Sequence, residues 1–276
     1  MGNCRYCGKP VGFLKNKHAE CEKTHTNGLK KIRNVVTSLL SDDSKIREQK
    51  TALQSIASNC YINNQDLNNA IHNAWEAAVD EAFEDGVLSE NEEKRLLEMI
   101  KEFGFDQDAL YSDPTYAKIV KGSVLREILE GKIPERIKTS SDLPFNFQKN
   151  EKLVWVFQDV KYYEMRTKRE FRGGHHGVSM RVAKGFYYRV GSFRGFPVET
   201  TQTIHADTGI LAITDKHLYF GGSEKIFRIK YDKILSFEPY SNGIGIQRDT
   251  MTAKPQIFET GDGWFTHNLV TNLAKI

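Results

Sequence analysis

The apolar residues of this chain change period along its length. From Leu29 to Ile133 they recur at three- and four-residue steps, the spacing of one face of an α-helix. Ile32, Val35, Val36, Leu39 and Leu40 mark a first helix, and Leu53, Ile56 and Ala57 a second. A longer stripe, Leu67, Ala70, Ile71, Ala74, Ala78, Val79, Ala82 and Phe83, predicts a helix over about 66–84. Gly86 can take the left-handed conformation that ends it, and Ser89 with Glu92 makes the capping box that starts the next. That helix carries Leu96, Leu97, Ile100 and Phe103 inward and stops near Gly104. A short one around 115–130 presents Ile119, Val120, Val124, Ile128 and Leu129, completing an all-helical block.

Between Gly131 and Asn150 the period is lost. Pro134, Pro144 and the run Lys138-Thr139-Ser140-Ser141 read as a linker. After it the pattern is that of strands: Leu153 to Phe157, Val178 to Val182, Phe186 to Val190, Ile210 to Thr214, His217 to Phe220, Ile226 to Ile229, Ile234 to Phe237, Ile244 to Ile246 and Ile257-Phe258. A closing amphipathic helix over about 262–275 is started by Asp262 and turns Trp264, Phe265, Leu269 and Leu273 inward.

Ahead of both blocks stand Cys4, Cys7, His18 and Cys21 in the arrangement C-x2-C-x10-H-x2-C, the spacing of a tetrahedral Cys3His zinc site. Gly8 fits the tight turn that follows Cys7. His25, one helical turn beyond Cys21, is a second-choice ligand behind His18. Four protein ligands close the shell, so the zinc is expected to be structural, and residues 1 to about 26 to fold only with it. A disulfide would leave a cysteine over, and no secretory leader is expected to place the chain in an oxidising compartment. Cys60 reads as packing. The chain is therefore α+β and multidomain: a zinc finger at 1–28, a helical bundle at 29–133, a linker at 134–149 and a strand domain at 150–276.

The core of the turn around Gly86, D-G-x-L-S-x-x-E with acidic residues before it, resembles the tellurite-resistance TerB-like helical domain. That resemblance implies a cation site at Asp80, Glu81, Glu84 and Asp85. Read as a charge run, the same stretch is a solvated helix face, and an EF-hand register fails because Phe83 would fall on a ligand position. The segment G-I-L-A-I-T-D-K-H-L-Y-F-G-G, followed by F-R-I-K-Y-D-K-I-L-S-F, resembles the GRAM-like and bacterial PH-like domains. It implies an antiparallel barrel of about seven strands plugged by the C-terminal helix, with Gly209, Thr214, Phe220 and Ile234 as fold residues. Together the three modules resemble bacterial and phage proteins tied to envelope stress or phage–host conflict.

Charge divides the 276 residues in the same way. The net charge of +3 separates into +6 over residues 1–33, −9 over 34–134 and +6 over 135–276. Within the strand block, residues 161–194 carry +7. Lys161, Arg166, Lys168, Arg169, Arg172, Arg181, Lys184 and Arg189 are the candidate anionic-ligand residues, interleaved with aromatic side chains. Such a surface suits an anionic membrane or a protein partner; alternatively, with the basic finger, it tracks nucleic acid. It is equally a solvated or interdomain face. No apolar run approaches the roughly twenty residues of a membrane span. Phosphate-loop, dinucleotide, H-E-x-x-H and G-x-S-x-G motifs are missing from the sequence. The expectation is a non-enzymatic adaptor in the cytoplasm, peripheral on the inner membrane face where it meets lipid. A homo-oligomer through an edge strand fits the same reading.

Overall fold

The computed structural model describes residues 2–12, 14–42, 45–136, 143–171, 181–183, 186–187, 197–250 and 253–276, with the side chains of 167–201 outside the description. It divides into two compact units, Met1–Arg126 and Glu127–Ile276.

The first unit is helical: α1 Ala19–Ser38, α2 Ile46–Asn59, α3 Asn64–Ala82, α4 Glu90–Phe103, α5 Gln107–Tyr111 and α6 Pro114–Leu129, whose last turn crosses the division. The amphipathic stripes pack as their period predicts. Ile32, Val36, Leu53, Ala57, Leu67, Ile71 and Ala74 form one core cluster, and Trp75, Ala78, Val79, Leu88, Leu96, Met99 and Ile119 belong to the other. Trp75 is fully buried, and its indole N–H donates to the Leu96 carbonyl at 3.3 Å. The Ser89–Glu92 capping box is present, and Gly86 and Gly104 take positive φ of 84° and 74°. A buried ion pair ties α6 to α4: Arg126 reaches Glu93 at 2.5 Å and the Leu88 carbonyl at 3.1 Å.

Two positions depart from the stripes, and one boundary shifts. Leu97 and Leu129, expected inside, are 38% and 59% exposed, because their helices bury a narrower face centred on Leu96 and on Ile128. Helix α1 runs through the expected 28/29 boundary and begins already at Ala19. Gly28 lies buried within it, where a Cβ would stand 2.4 Å from the Cys60 Cβ. A glycine that looks like punctuation is here the place where the α2–α3 connection passes closest to α1.

The second unit is a sheet. The strands are β1 Leu153–Phe171, β2 Arg181–Ala183, β3 Phe186–Tyr187, β4 Pro197–Thr214, β5 His217–Gly222, β6 Ile226–Lys230, β7 Ile234–Tyr240, β8 Gly243–Arg248 and β9 Gln256–Glu259, followed by α7 Gly263–Leu273. Seven of them form one antiparallel sheet in the order β6-β5-β4-β1-β9-β8-β7, and β2 pairs with β3. The described sheet is not closed, since β6 and β7 are its two ends; a 3-10 turn at Tyr231–Lys233 carries the chain from one to the other. Asp262 caps α7 by accepting the Phe265 amide at 3.0 Å. Phe265, Leu269 and Leu273 are buried and Phe265 packs on Trp155. Trp264, expected inward, is 57% exposed. Within the expected linker, Phe145 and Phe147 pack on Tyr219 of β5.

The head of β1 is fastened by Glu151, whose side chain is fully buried. Its carboxylate accepts from His217 Nδ1 at 2.8 Å, the Tyr219 hydroxyl at 2.7 Å, the Gln148 amide at 2.7 Å and the Thr214 hydroxyl. Burial alone would raise its pKa, but these donors outweigh it and hold the carboxyl below its ordinary value.

Two outcomes follow from this packing. Gly28→Ala is expected to destabilise the helical unit by about 1–3 kcal/mol in chemical denaturation, because overpacking against Cys60 exceeds the gain in helix propensity; a more stable variant would show that the contact yields. The stability that ionised Glu151 contributes is complete above its ordinary pKa of 4.5 and is lost as pH falls through its lower folded value. Glu151→Gln should therefore lower the stability of the sheet unit near neutral pH and make its remaining stability less sensitive to acid, read from urea melts across that range.

Candidate metal centre

Residues 2–11 fold on themselves: the Cys4 amide donates to the Lys9 carbonyl at 2.8 Å, the Val11 amide to the Gly2 carbonyl at 2.9 Å, and Asn3 bridges Pro10. At the turn, Gly8 takes φ 70° and its amide donates to the Cys4 carbonyl at 2.9 Å, so Cys4 and Cys7 face the same side. The chain returns through His18, the N-cap of α1, and Cys21 sits in that helix's first turn. Cys4, Cys7, His18 and Cys21 bring their ligand atoms within 4.8 Å of one another. Cys7 Sγ is 3.4 Å and Cys21 Sγ 3.7 Å from His18 Nδ1.

Two outer contacts complete this arrangement. His18 Nε2 lies 3.1 Å from the Pro10 carbonyl, which can only accept, so Nε2 carries the proton and Nδ1 keeps its lone pair toward the sulfurs. Tyr61, in the α2–α3 connection at φ 58°, lies near the sulfurs; the Cys21 charge, then burial, push its phenol up. Neither partner is marked by the cysteine spacing, since one is a backbone oxygen and the other lies forty residues on. His25 faces elsewhere, against the Tyr6 ring at 4.8 Å.

The thiols are strongly differentiated. Burial raises Cys4, but the amides of Cys7, His18 and Tyr6 overcome it and bring the pKa down to about 6. Cys21 is pushed up to about 11 by burial and by the neighbouring Cys7 and Cys4 sulfurs. Three sulfurs this close cannot all ionise beside one another without a cation to share. The group can hold a metal ion, and its S3N donor set is consistent with zinc.

The remaining candidates are placed differently. Asp80 pairs with Lys118 at 2.8 Å, and Asp85 Oδ1 accepts the Val87 amide at 3.0 Å. Asp80, Glu81 and Glu84 line a groove with Arg33 and Thr37. The acidic four do not gather three ligand atoms within 4.8 Å; among the described residues the other set that does is His72, Glu76 and Asp113. In the sheet unit Lys161 pairs with Glu259 at 3.1 Å, and Arg166 is 62% exposed, 3.9 Å from Glu164. Lys168 and Arg169 lie on β1 and Arg181 on β2, their side chains outside the described residues, as are Arg172, Lys184 and Arg189 altogether.

Fold and site together define an α+β chain with a cysteine–histidine group that could hold a metal ion at the head of a helical unit. Comparison of the sequence with protein-family models and with curated proteins found no match to either. No described helix is long and apolar enough to cross a membrane.

If the four residues bind metal as arranged, Co2+ added to the reduced chain will produce intense near-ultraviolet thiolate-to-cobalt absorption. That band is expected to vanish in the Cys4→Ser, Cys7→Ser variant and to survive His25→Ala; its loss in the His25 variant would reassign the fourth ligand.

Proposed function

We propose that this chain is a zinc-stabilised, non-enzymatic binding protein that docks an anionic surface through the basic end of its longest strand pair. The zinc is a staple in this reading. Four protein ligands leave no coordination position for water or substrate, and the thiolate shell suits a borderline-soft ion.

The observation that carries the recognition half is the extent of the β1–β4 pairing. Strand β9 accompanies β1 only over Lys161 to Glu164, and β5 accompanies β4 only over Gly209 to Ile213. Among the described residues, no third strand accompanies the β1–β4 ladder from Met165↔Thr203 to Phe171↔Pro197. Arg166, Lys168 and Arg169 lie on that two-stranded stretch, inside the +7 segment. A ribbon whose strands, among the described residues, pair only with each other, and which bears a run of cations, is suited to meet a surface of phosphates or carboxylates.

The resemblance to TerB-like and PH-like or GRAM-like domains agrees with this reading, since a helical unit precedes a seven-stranded antiparallel sheet that ends in a helix. By the same architectural analogy the protein would act in the cytoplasm of a bacterium, peripherally at the inner membrane face, in envelope stress or phage–host conflict. The partner we favour is an anionic lipid headgroup, with an acidic protein surface as the related case.

Vesicle flotation tests this. Recovery with vesicles containing anionic lipid should exceed that with neutral vesicles and fall with salt. Replacing Arg166, Lys168 and Arg169 by Gln should weaken binding about 100-fold, at about 1 kcal/mol per cation near the surface. Equal recovery on both vesicle types would remove the lipid reading. Tight, steeply salt-dependent gel shifts with single-stranded probes would instead favour nucleic acid, held by the basic N-terminal block and the same ribbon.

A further inference from the structure

The helical unit contains a second set of metal-ligating side chains that shares no residue with the cysteine cluster. His72 and Glu76 stand one turn apart on α3, and Asp113 directly precedes α6. His72 Nε2 lies 3.4 Å from Asp113 Oδ2 and 3.8 Å from Glu76 Oε1, and the three ligand atoms all fall within 4.8 Å of one another. A charge-assisted hydrogen bond would close to about 2.7–2.9 Å, so neither carboxylate has collapsed onto the imidazole. Bonds of about 2.0–2.2 Å to a common ion place ligand atoms about 3–3.6 Å apart. The observed separations are therefore near those of a shared coordination shell.

Two of the three ligands are positioned by contacts outside the trio. The Asp113 side chain is only 10% exposed, and its Oδ1 accepts the Thr115 amide at 2.7 Å in the first turn of α6. That bond fixes the carboxylate plane and leaves Oδ2 toward His72. The imidazole stacks on Trp75 with ring centroids 5.8 Å apart and meets the Phe105 ring at 5.3 Å. Trp75 is itself fixed by its bond to Leu96. Only Glu76 is free to swing, and its side chain is 43% exposed.

Electrostatics points the same way. Two carboxylates, one of them almost buried, converge on one imidazole that offers a positive charge only when protonated. A divalent ion would compensate both at any pH at which they are ionised. One nitrogen and two oxygens disfavour Mg2+ and Ca2+, which prefer all-oxygen shells, and suit first-row ions such as Zn2+. We propose that His72, Glu76 and Asp113 form a second divalent metal site, open to solvent at its remaining positions and loaded by zinc. It goes beyond the proposed function above and depends on neither the cysteine cluster nor the basic ribbon. Three ligands in place of four, none of them a thiolate, make it the weaker and more exchangeable of the two sites.

Zinc titration of the full chain, in competition with a chromophoric chelator, tests the assignment. The protein, already carrying its first equivalent, is expected to take up a second. His72→Gln, Glu76→Gln and Asp113→Asn should each lose the second equivalent and retain the first. His72 and Glu76 are 40% and 43% exposed, so their replacement leaves the core intact, and Asn at 113 preserves the oxygen that caps α6. Uptake that stops at one equivalent, and is unchanged in the His72, Glu76 and Asp113 variants, overturns the proposal. So does a second equivalent that persists in both the His72 and Glu76 variants, because the ion would then reside elsewhere.

Discussion

The orientation of one imidazole underlies the helical unit. His18 is at once the N-cap of α1 and the nitrogen donor of the cysteine group, and the Pro10 carbonyl decides which ring nitrogen is free for that role. Turning the ring over would aim a proton at the sulfurs. Because the helix begins at this residue, the direction of α1 and the geometry of the ligand set are fixed together. Ten residues beyond His18 the same helix passes Cys60 at Gly28, and it then contributes Ile32 and Val36 to the core. Tyr61, next to Cys60, lies within reach of the Cys21 sulfur's charge. A single connection between α2 and α3 thus touches both the ligand set and the helix that carries it. A metal held by this group would be coupled to the packing of the bundle, unlike one in a finger that folds alone.

The two units handle buried charge by a common rule. Glu93 is answered by Arg126, which also takes up the Leu88 carbonyl. Glu151 collects donors from four residues, and Asp207 accepts the amides of Thr208, Glu224 and Lys225 at the β5–β6 hairpin. In each case the buried carboxylate meets hydrogen-bond donors at close range, which is the condition for burying a charge without a large penalty. Asp113 departs from that pattern. One of its oxygens is satisfied at 2.7 Å, while the other faces a ring nitrogen at 3.4 Å. The contrast with Glu151, inside the same molecule, is what makes the His72 trio unlike an ordinary structural pair.

Much of this was legible in the residues. The capping box at Ser89 and Glu92, the cap at Asp262, and glycines 86 and 104 are local signals whose hydrogen bonds reach no further than three or four residues, and each is found where expected. The metal group was legible for a similar reason, since its four ligands lie within eighteen residues. What escaped is non-local. Residues 19–28 carry no apolar stripe because that half of α1 belongs to the ligand set more than to the core. Strand β1 extends well past Phe157 because its partner β4, about forty residues away, continues alongside it. Phe145 and Phe147 looked like linker until Tyr219 supplied a surface for them. The five residues of α5 are too few to show a period.

Charge was the weakest guide to chemistry, and the reason is geometric. Asp80, Glu81, Glu84 and Asp85 are consecutive or nearly so, and a helix end spreads such neighbours around its axis; Lys118 and the Val87 amide draw off two of them. His72 and Glu76 are separated by four residues, so α3 stacks them on one face, and Asp113 arrives from another element. Convergence depends on helical phase and on which element docks opposite, and neither is measured by the density of charge along the chain. The basic segment of β1 obeys the same principle in strand form. Its cations fall on a stretch of the β1–β4 ladder beside which the described residues place no third strand, a property of the pairing register that composition alone does not carry.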